Sequence, residues 1–322
     1  MPRKPKTAPT SSENDQETQI HACWLYFVQG LTQQEVAARL GLSRVKVTRL
    51  LQQARANGLV TVTINSPTTL HYELQDQLCK RYALQTAVIT ITPEARDQII
   101  PVLANAAAHF LAGRLRPGMA VGIGNGRTIS LMPQFFQVPH DVDCTFVELT
   151  GGPPAFYLGT VSSDVSFRMA AKAGGQAVHI NTPYFVENSE AHDILLHDPA
   201  IEQVVSMARR CDIAFLSVGS FGPSNILVQY GILSKSEAAK LVNQGAAGDL
   251  LGRLIDSQGK EMPYSLSDRI IGLALDDLRA LPCCVLVAGG KEKMNAIQAA
   301  LRGGYVKILV TDVETAKKLA EG

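Results

Sequence analysis

The chain has 322 residues, of which 46% are hydrophobic and 18% are charged, and its net charge is +1. This composition supplies enough apolar residues for a folded core and excludes an intrinsically disordered chain, while the length predicts two domains. Because no window holds about 18 uninterrupted apolar residues, the sequence also excludes a membrane-spanning segment. Residues 1–18 are polar and lack the apolar stretch of a secretory signal, so they are predicted to form a disordered tail of a cytoplasmic protein.

Charge is distributed unevenly along the chain. Residues 1–66 hold eight Lys or Arg against four Asp or Glu, a net +4, and the remainder holds 22 against 25, a net −3. A basic segment at one end of a chain is typical of nucleic-acid-binding proteins. The asymmetry therefore favours DNA binding by the N-terminal region.

The segment 31–51, LTQQEVAARLGLSRVKVTRLL, has the pattern of two short helices joined by a tight turn. Thr32 can cap the first helix, and Glu35, three residues later, completes a capping box. Gly41 provides the backbone freedom that the turn needs, and Ser43 can cap the second helix. The apolar residues of both helices recur at helical spacing, which predicts that the helices pack together. They are Val36, Ala37, Leu40, Leu42, Val47, Leu50 and Leu51.

This register leaves basic and hydroxyl side chains of the second helix on the outer face, which a recognition helix presents to the major groove. Arginine can bond to guanine, and Lys, Ser and Thr can hold phosphates. A helical hairpin with a solvated basic face is the alternative, but the caps, the glycine and the apolar register together favour a helix-turn-helix. The candidate DNA-binding residues are Thr32, Gln33, Ser43, Arg44, Lys46, Thr48 and Arg49.

The flanking segments complete a DNA-binding domain predicted at 19–66. A preceding helix at 20–30 is expected to pack Trp24 and Phe27 behind the helix pair. The alternating residues of 58–67 predict a short strand after the second helix, as in a winged-helix-like domain.

The segment 67–85 is predicted to be an amphipathic helix between the two domains. We expect it to act as a linker, and it is also a candidate for self-association. Its apolar side is formed by Leu70, Leu74 and Leu78.

From residue 86 to 322, strand-like and helical segments alternate, as in an α/β domain. Continuous runs of Val and Ile indicate strands buried on both faces, and hence a mainly parallel, Rossmann-like sheet covered by helices. The predicted strands are TAVITI (86–91), MAVGIG (119–124), CTFVELT (144–150), QAVHI (176–180), DIAFLSVG (212–219), CCVLVAGG (283–290) and VKILVT (306–311). Ligands of such sheets bind beyond the carboxyl ends of the strands.

Several predicted strand ends carry glycine together with a hydroxyl or a cation. Gly124 and Gly126 come just before a helix that begins near Arg127 and Thr128, and backbone N–H groups in that geometry can cradle phosphate. Lys291, at the start of another helix, would add a positive charge. Any one of these glycine turns is more typical of an ordinary strand–helix connection, but their convergence on one rim favours an anionic small molecule.

Asp249, in the stretch GAAGD, can accept hydrogen bonds from ligand hydroxyls.

GIGNG lacks the third glycine of a dinucleotide-binding loop, and no GK[ST] follows it, so no nucleotide cofactor is predicted. The six cysteines lack the spacing of a zinc site and are expected to be reduced thiols, mostly buried. His192 and His197 have no acidic partner pattern, so we predict no metal site and no cofactor.

Together these stretches resemble the SorC family of bacterial sugar-responsive transcriptional regulators along almost the whole chain. The segment LTQQEVAARLGLSRVKVTRLLQQARANGLV is similar to the helix-turn-helix of that family. The motifs of the family's effector domain are matched, in family order, by VGIGNGRT, ELTGG, CDIAFLSVGS, GAAGDLLGRLID, AGGKEKMNAIQAALRGG and LVTDVETA.

The resemblance implies a sugar-phosphate-isomerase-like effector domain at 86–322 that binds a phosphorylated sugar or related effector. It also implies a double-stranded DNA operator as partner and self-assembly, usually as a tetramer. Asn125 lies where the family's loop is variable, and Thr150 replaces a commonly apolar residue, so the motifs do not name the effector. The effector-binding positions implied by the match are Gly124, Gly126, Arg127, Thr128, Thr150, Gly151, Gly152, Arg168, Asp249 and Lys291.

Three functions remain open at this point. The first is a ligand-controlled transcriptional regulator of carbohydrate or polyol catabolism. The second is a sugar-phosphate isomerase-like enzyme fused to a DNA-binding module, with Asp249 as base and Lys291 as electrophile. The third is a DNA-binding protein whose α/β domain only oligomerises. Because an isomerase does not need a helix-turn-helix, we expect the regulator and no enzymatic activity.

Overall fold

A computed structural model describes residues 11–57, 59–60, 69–152, 162–220, 225–229 and 231–322 of the chain. The chain divides into two compact units, Met1–Thr69 and Leu70–Gly322, called here the N-terminal unit and the α/β unit. Most of the strand predicted at 58–67 lies outside the described residues.

The described part of the N-terminal unit is helical. Its elements are α1 (Ser11–Cys23), a π-helical turn (Trp24–Val28), α2 (Gln33–Leu40) and α3 (Arg44–Ala56). Because α1 begins at Ser11, the tail predicted at 1–18 is wrong from that residue onward.

The core of the N-terminal unit contains the apolar residues that the helical spacing predicted. One expectation is wrong: Trp24 is 46% exposed, and its neighbour Leu25 is fully buried instead. The helix register directs Leu25 into the apolar cluster, while Phe27 packs against that cluster from its edge. The buried members of the cluster are Ala22, Cys23, Leu25, Val36, Ala37, Val47, Leu50, Leu51 and Ala54.

The predicted turn and caps between α2 and α3 are confirmed. The Thr32 backbone N–H donates to Glu35 Oε2 at 2.7 Å, and the Glu35 N–H donates to Thr32 Oγ1 at 3.3 Å, which completes the capping box. The hydrogen bonds that the Thr32 backbone N–H and hydroxyl donate to Glu35 Oε2 lower the pKa of this carboxyl. Gly41 ends α2 in the left-handed conformation with φ at +66°, and Ser43 caps α3 by accepting from the Lys46 N–H at 3.2 Å. The sharp change of direction therefore rests on local sequence alone.

Gly41→Ala is expected to destabilise the N-terminal unit by about 1–2 kcal/mol, because an L side chain is disfavoured in the left-handed conformation. A Cβ atom here would have no heavy atom within 4 Å, so the cost is conformational and not steric. Trp24, the single tryptophan of the chain, reports unfolding of this unit by fluorescence. Gly41→Asn is the matched control and should lose clearly less, since asparagine tolerates positive φ. Equal losses in the two variants would contradict this explanation.

Eleven strands are present in the described part of the α/β unit. They are β1 (Thr86–Thr90), β2 (Ala120–Ile123), β3 (Thr145–Glu148), β4 (Gln176–Val178), β5 (Ile213–Leu216), β6 (Val218–Gly219), β7 (Ala246–Leu250), β8 (Arg253–Asp256), β9 (Glu261–Met262), β10 (Cys284–Val287) and β11 (Ile308–Asp312). Seven of them form one sheet in the order β1-β11-β10-β5-β2-β3-β4, with every neighbouring pair parallel. The mainly parallel sheet predicted from the sequence is confirmed.

Helices and apolar cores cover both faces of this sheet. Along β10, Leu286 belongs to one core, while Val285 and Val287 belong to the other, as expected for a strand buried on both sides. Cys283 and Cys284 likewise pack against opposite cores. The helices are α4 (Thr69–Tyr82), α5 (Ile99–Ala112), α6 (Arg127–Phe135), α7 (Ser162–Ala173), α8 (Ser189–Leu196), α9 (Pro199–Ala208), α10 (Ile226–Gln229), α11 (Lys235–Asn243), α12 (Leu275–Ala280), α13 (Met294–Arg302) and α14 (Val313–Glu321).

The other four strands form a small antiparallel sheet, in the order β6-β7-β8-β9, that the sequence analysis missed. These strands have only two to five residues each, and β7 (AAGDL) carries glycine and aspartate where strands usually carry Val or Ile. β6 follows β5 after a single residue and pairs Gly219 with Asp249 of β7. The small sheet thereby brings Asp249 close to the carboxyl end of β5.

The helix predicted at 67–85 belongs to the α/β unit and is not a free linker. Leu74 and Leu78 of α4 are buried in one of the two cores of this unit. The Tyr82 hydroxyl donates to the Leu319 carbonyl at 3.2 Å, and an Arg81 N–H donates to the Ala320 carbonyl at 2.9 Å. These contacts cross more than 200 positions of sequence, so local pattern could not reveal them.

Candidate functional sites

The first candidate site is the outer face of α3 in the N-terminal unit. Ser43, Arg44, Lys46 and Arg49 are exposed there, as the helical register predicted. Thr48 is only half-exposed. The three basic side chains leave a positive surface that complements the phosphates of DNA.

Two of the predicted DNA-binding residues are bonded to each other. The Thr48 hydroxyl donates to Gln33 Oε1 at 2.8 Å and lies 2.9 Å from the Arg44 carbonyl oxygen. This bond ties α3 to the first turn of α2 and fixes the Gln33 amide, whose N–H groups are left to donate outward. Thr48 therefore acts through Gln33 in this arrangement, and it is not a free hydroxyl for a base.

A groove of about 720 Å³ lies beside the start of α3. Aromatic, amide and hydroxyl side chains line it together with Arg44, the only charged residue among the described residues of the lining. Such a lining offers hydrogen-bond donors and a positive charge to a phosphate backbone. The residues of the lining are Tyr26, Phe27, Gly30, Leu31, Thr32, Gln33, Gln34 and Arg44.

The second candidate site lies where β2, β3, β5 and β10 end. Lys293 Nζ donates to Ser217 Oγ at 3.2 Å and to the Val218 carbonyl at 3.0 Å. The Asn125 amide, from the loop after β2, donates to Thr150 Oγ1 at 2.7 Å. We call the connected group the rim cluster. Its members are Asn125, Gly126, Arg127, Thr150, Ser217, Asp249 and Lys293.

Three glycines predicted to hold phosphate have their backbone N–H groups occupied. Gly124 donates to the Phe215 carbonyl, Gly151 to that of Ile271 and Gly152 to that of Thr182. A Cβ on Gly151 would lie 2.5 Å from the Pro183 carbonyl oxygen, so this glycine permits two backbone segments to approach. Gly124 and Gly151 are packing residues, and their N–H groups cannot cradle an anion in this conformation.

Gly126 differs from the other glycines because it starts a helix. It is the N-cap residue of α6, with φ at +144°, and no side chain among the described residues caps this helix end. A Cβ here would lie 2.8 Å from Ser217 Cβ, so both backbone and space require glycine. Arg127 is exposed in the first turn, and Thr128 is buried beside it. The positive end of the α6 dipole thus faces the rim cluster without a compensating side chain.

Asp249 is the carboxylate of the rim cluster and is 5% exposed. It accepts from the Gly252 N–H at 3.2 Å and from the Asn225 amide at 3.5 Å. Burial raises the pKa of its carboxyl to about 6, against the opposing effects of the Gly252 hydrogen bond and the Lys293 charge. Gly219 faces it so closely that a Cβ would overlap the carboxylate oxygen. Asp249 is therefore held in place as a hydrogen-bond acceptor.

Lys293 is half-buried in the same cluster. Burial, together with the nearby positive charge of Arg127, lowers the pKa of its ammonium group to about 8, while Asp249 acts in the opposite direction. Two cations are thus held near the uncapped end of α6.

Two tyrosines enclose the carboxylate side of the cluster. Burial, the Asp249 charge and Tyr264 raise the pKa of the Tyr184 hydroxyl well above its ordinary value, while a hydrogen bond from Asn125 opposes the shift. The Tyr264 hydroxyl donates to the Gly252 carbonyl at 2.7 Å. Both phenols are therefore neutral groups that can shape a polar pocket without adding charge.

The structure does not bring Lys291 or Arg168 into the rim cluster. Lys291 is exposed and lines a separate cavity of about 250 Å³ near the ends of β1 and β11, together with Asp312 and Lys318. Arg168 is exposed on α7, and no hydrogen bond or ion pair joins it to the cluster within the described residues. Lys293, two residues after Lys291 in the stretch AGGKEK, is the lysine that the structure places in the rim cluster instead.

The described part of the chain contains no helix long and apolar enough to cross a bilayer. Within the same residues, His, Cys, Asp and Glu side chains form no group of three or more that could hold a metal ion. Cys23, Cys144, Cys211 and Cys284 are buried free thiols, and Cys79 and Cys283 are half-buried.

The family model of the sugar-binding domain named Sugar-bind matches residues 66–321, which include the whole rim cluster and α4. The regulatory protein of erythritol catabolism EryD from Brucella abortus is 31% identical over 96% of this chain and 98% of its own length. The chain belongs to the SorC family of sugar-binding transcriptional regulators.

Another relative and a solved structure align over nearly the same extent. The deoxyribonucleoside regulator of Bacillus subtilis is 29% identical over 94% of this chain and 97% of its own length. The crystal structure of the full-length sorbitol operon regulator SorC from Klebsiella pneumoniae has the same fold, with a TM-score of 0.73 and 24% identity over 95% of this chain and 99% of that one. This SorC-family chain thus combines a helix-turn-helix unit with a sugar-binding α/β unit, as the sequence predicted.

Proposed function

We propose that this SorC-family regulator binds a phosphorylated sugar or polyol at the rim cluster and binds operator DNA through α3. The single observation that carries the effector proposal is the pairing of two cations with an uncapped helix end. Arg127 and Lys293 lie close enough for one to depress the pKa of the other. An anion at the start of α6 would relieve their repulsion and accept hydrogen bonds from the free N–H groups of the helix.

The other side of the rim cluster suits the hydroxyl groups of a sugar. The Asp249 carboxylate can accept hydrogen bonds, while the hydroxyl of Thr150 and the amide of Asn125 can both donate and accept. The site thus offers two cations and a helix end on one side and an acceptor carboxylate on the other. This arrangement suits a ligand with an anionic group and several hydroxyls. One relative is named a regulatory protein of erythritol catabolism and another a deoxyribonucleoside regulator, which agrees with this class of ligand.

The buried carboxyl and ammonium groups of the cluster could also serve as an acid–base pair, as an isomerase would need. Two observations favour the regulator: the chain has a helix-turn-helix with an exposed basic face, and its relatives over nearly their full length are transcriptional regulators.

We further propose a homo-oligomer, a dimer or tetramer, because a single helix-turn-helix contacts only one half-site.

The effector proposal is tested by thermal denaturation of the full chain with inorganic phosphate, with four- to six-carbon sugar phosphates, and with the matching free sugars and polyols. A ligand at 100 times its dissociation constant should stabilise the protein by about 2.7 kcal/mol. We expect phosphorylated compounds to stabilise the α/β unit more than their unphosphorylated counterparts. Stabilisation only by the free sugars would contradict the anion site, and none by any compound would favour a purely structural α/β unit.

Arg44→Ala and Arg49→Ala are each expected to weaken operator binding by about 1–3 kcal/mol and to relax base preference, if these side chains bond to base edges. Lys46→Ala should weaken binding to all sequences alike and reduce the slope of log affinity against log salt by about one. Fluorescence anisotropy on selected and on random duplex DNA at several salt concentrations measures both. Arg116→Ala, an exposed arginine of the α/β unit, is the control. Unchanged affinity in the Arg44/Arg49 double variant would rule out α3 as the DNA-binding surface.

A further inference from the structure

Val45 is the most exposed of the large hydrophobic side chains in the described chain, at 79%. It lies in the first turn of α3, between the exposed side chains of Arg44 and Lys46. A β-branched apolar residue lowers helix propensity, and a side chain that is 79% exposed buries little area, so Val45 contributes little to the stability of the fold.

The direction of Val45 can be derived from the helix geometry. The buried residues of α3 are Val47, Leu50, Leu51 and Ala54. At about 100° per residue, their mean direction lies opposite to Val45 within roughly 10°. Arg49, four residues later, lies on the same side, next to Val45. These two side chains form the ridge of α3 that points most directly away from the core.

In a helix-turn-helix, the face of the recognition helix opposite the core enters the major groove, and its N-terminal residues meet the base edges. The Thr48 hydroxyl cannot take that role while it is bonded to Gln33. Val45 is therefore the side chain best placed to meet a base, and it has no hydrogen-bonding group. The one apolar group that base pairs present in the major groove is the C5-methyl of thymine.

We infer that Val45 is a specificity-determining residue that packs against a thymine methyl group in each operator half-site. Arg49 contacts a neighbouring base pair or phosphate from the same ridge. The inference rests on operator binding through α3, and it adds the chemistry by which one position of the operator is recognised. It also explains why an exposed valine lies within a row of basic residues: a charged side chain there would have to leave water to approach the methyl group.

The test begins with selection of duplex DNA from a random pool by the full-length wild-type protein. Each thymine of the enriched half-site is then replaced singly by deoxyuridine, which removes only the methyl group. At one position the wild type should lose affinity by about 4-fold, the effect of one buried methyl-sized group. Val45→Ala should bind the unmodified site more weakly by a similar factor and be indifferent to deoxyuridine at that position. Val28→Ala removes an equally branched side chain that is 67% exposed outside α3, and should behave as wild type.

Selection repeated with Val45→Ala should keep the other preferred bases and lose the preference for thymine at that one position. If every deoxyuridine substitution affects wild type and Val45→Ala equally, Val45 does not contact a methyl group and the inference is wrong. If the wild type enriches no sequence, operator binding itself fails, which separates the failure of the proposed function from the failure of this inference. Circular dichroism checks that the variants are folded, as expected for a side chain that is 79% exposed.

Discussion

Lys293→Met is expected to weaken binding of a phosphorylated effector by about 10- to 100-fold, because hydrogen bonds to charged groups contribute more than neutral ones. Methionine keeps the length and the apolar stem of lysine, so the variant should fold. It should also remove the ammonium group, whose pKa is lowered to about 8 by burial and by the charge of Arg127, and thereby relieve the repulsion between Lys293 and Arg127. Operator affinity without effector should be unchanged, and the response of operator affinity to effector should move to higher concentrations.

Lys291→Met is the matched control, two residues earlier in the same short 3₁₀ turn, Lys291–Lys293. Lys291 lines a different cavity, so this variant should respond to effector as the wild type does. Effector titrations of the two variants therefore show directly which lysine contacts the effector. Loss of response in Lys291→Met with a normal response in Lys293→Met would place the effector in the cavity near β11 and overturn the assignment of the rim cluster.

The two lysines show how far sequence can define this site. The stretch AGGKEK after a buried strand correctly indicated a positive charge at the rim of the sheet. In a 3₁₀ turn, however, side chains two residues apart point in directions that differ by about 120°. Which of them reaches Ser217 depends on the exact start of that turn, and this is set by Gly290, with φ at +95°, and by contacts with distant strands. The residue types predicted a positive charge at this rim, whereas the backbone conformation determines which of the two lysines supplies it.

The glycines of the predicted phosphate loop illustrate the same limit. Gly124, Gly126 and Gly151 all follow strands and looked equivalent as sequence. In the structure, Gly124 and Gly151 permit close packing and their N–H groups are bonded to carbonyls of other segments, whereas Gly126 begins a helix. A glycine required for close packing between segments and a glycine that begins a helix have the same sequence signal, because both reflect the lack of a side chain.

The helix-turn-helix was predicted more completely than the rim cluster because its determinants are local. The capping box of Thr32 and Glu35 and the left-handed Gly41 lie within ten residues of one another. The position of Asp249, in contrast, depends on a small antiparallel sheet whose strands are too short for periodicity to reveal. Contacts that join distant segments, such as α4 with α14, were missed for the same reason.

Asp249→Asn is expected to stabilise the α/β unit at neutral pH while weakening effector binding. Burial raises the pKa of the Asp249 carboxyl to about 6 in the folded state, from an ordinary value of 3.8. A carboxyl with a raised folded pKa contributes stability that is fully present below the unfolded pKa and is lost as pH rises through the folded pKa. At pH 7.5 its ionisation therefore costs on the order of 1–3 kcal/mol, which the neutral amide does not incur.

The sign of the pH dependence tests this explanation against simple repacking. The amount by which the free energy of unfolding of Asp249→Asn exceeds that of wild type should fall by about half between pH 7.5 and pH 5. The reason is that the wild-type carboxyl becomes protonated as pH falls. Urea unfolding followed by far-UV circular dichroism measures it, and Trp24 fluorescence reports the N-terminal unit separately. Asp256→Asn on the adjacent strand is the control, since its carboxylate accepts from the Gln258 and Lys260 N–H groups and should lose stability on substitution. A stability gain of Asp249→Asn that stays constant with pH would show that the charge of Asp249 is not what destabilises the site.

The predicted pattern, a more stable protein that no longer responds to effector, is expected where a buried charge is retained for binding and not for folding.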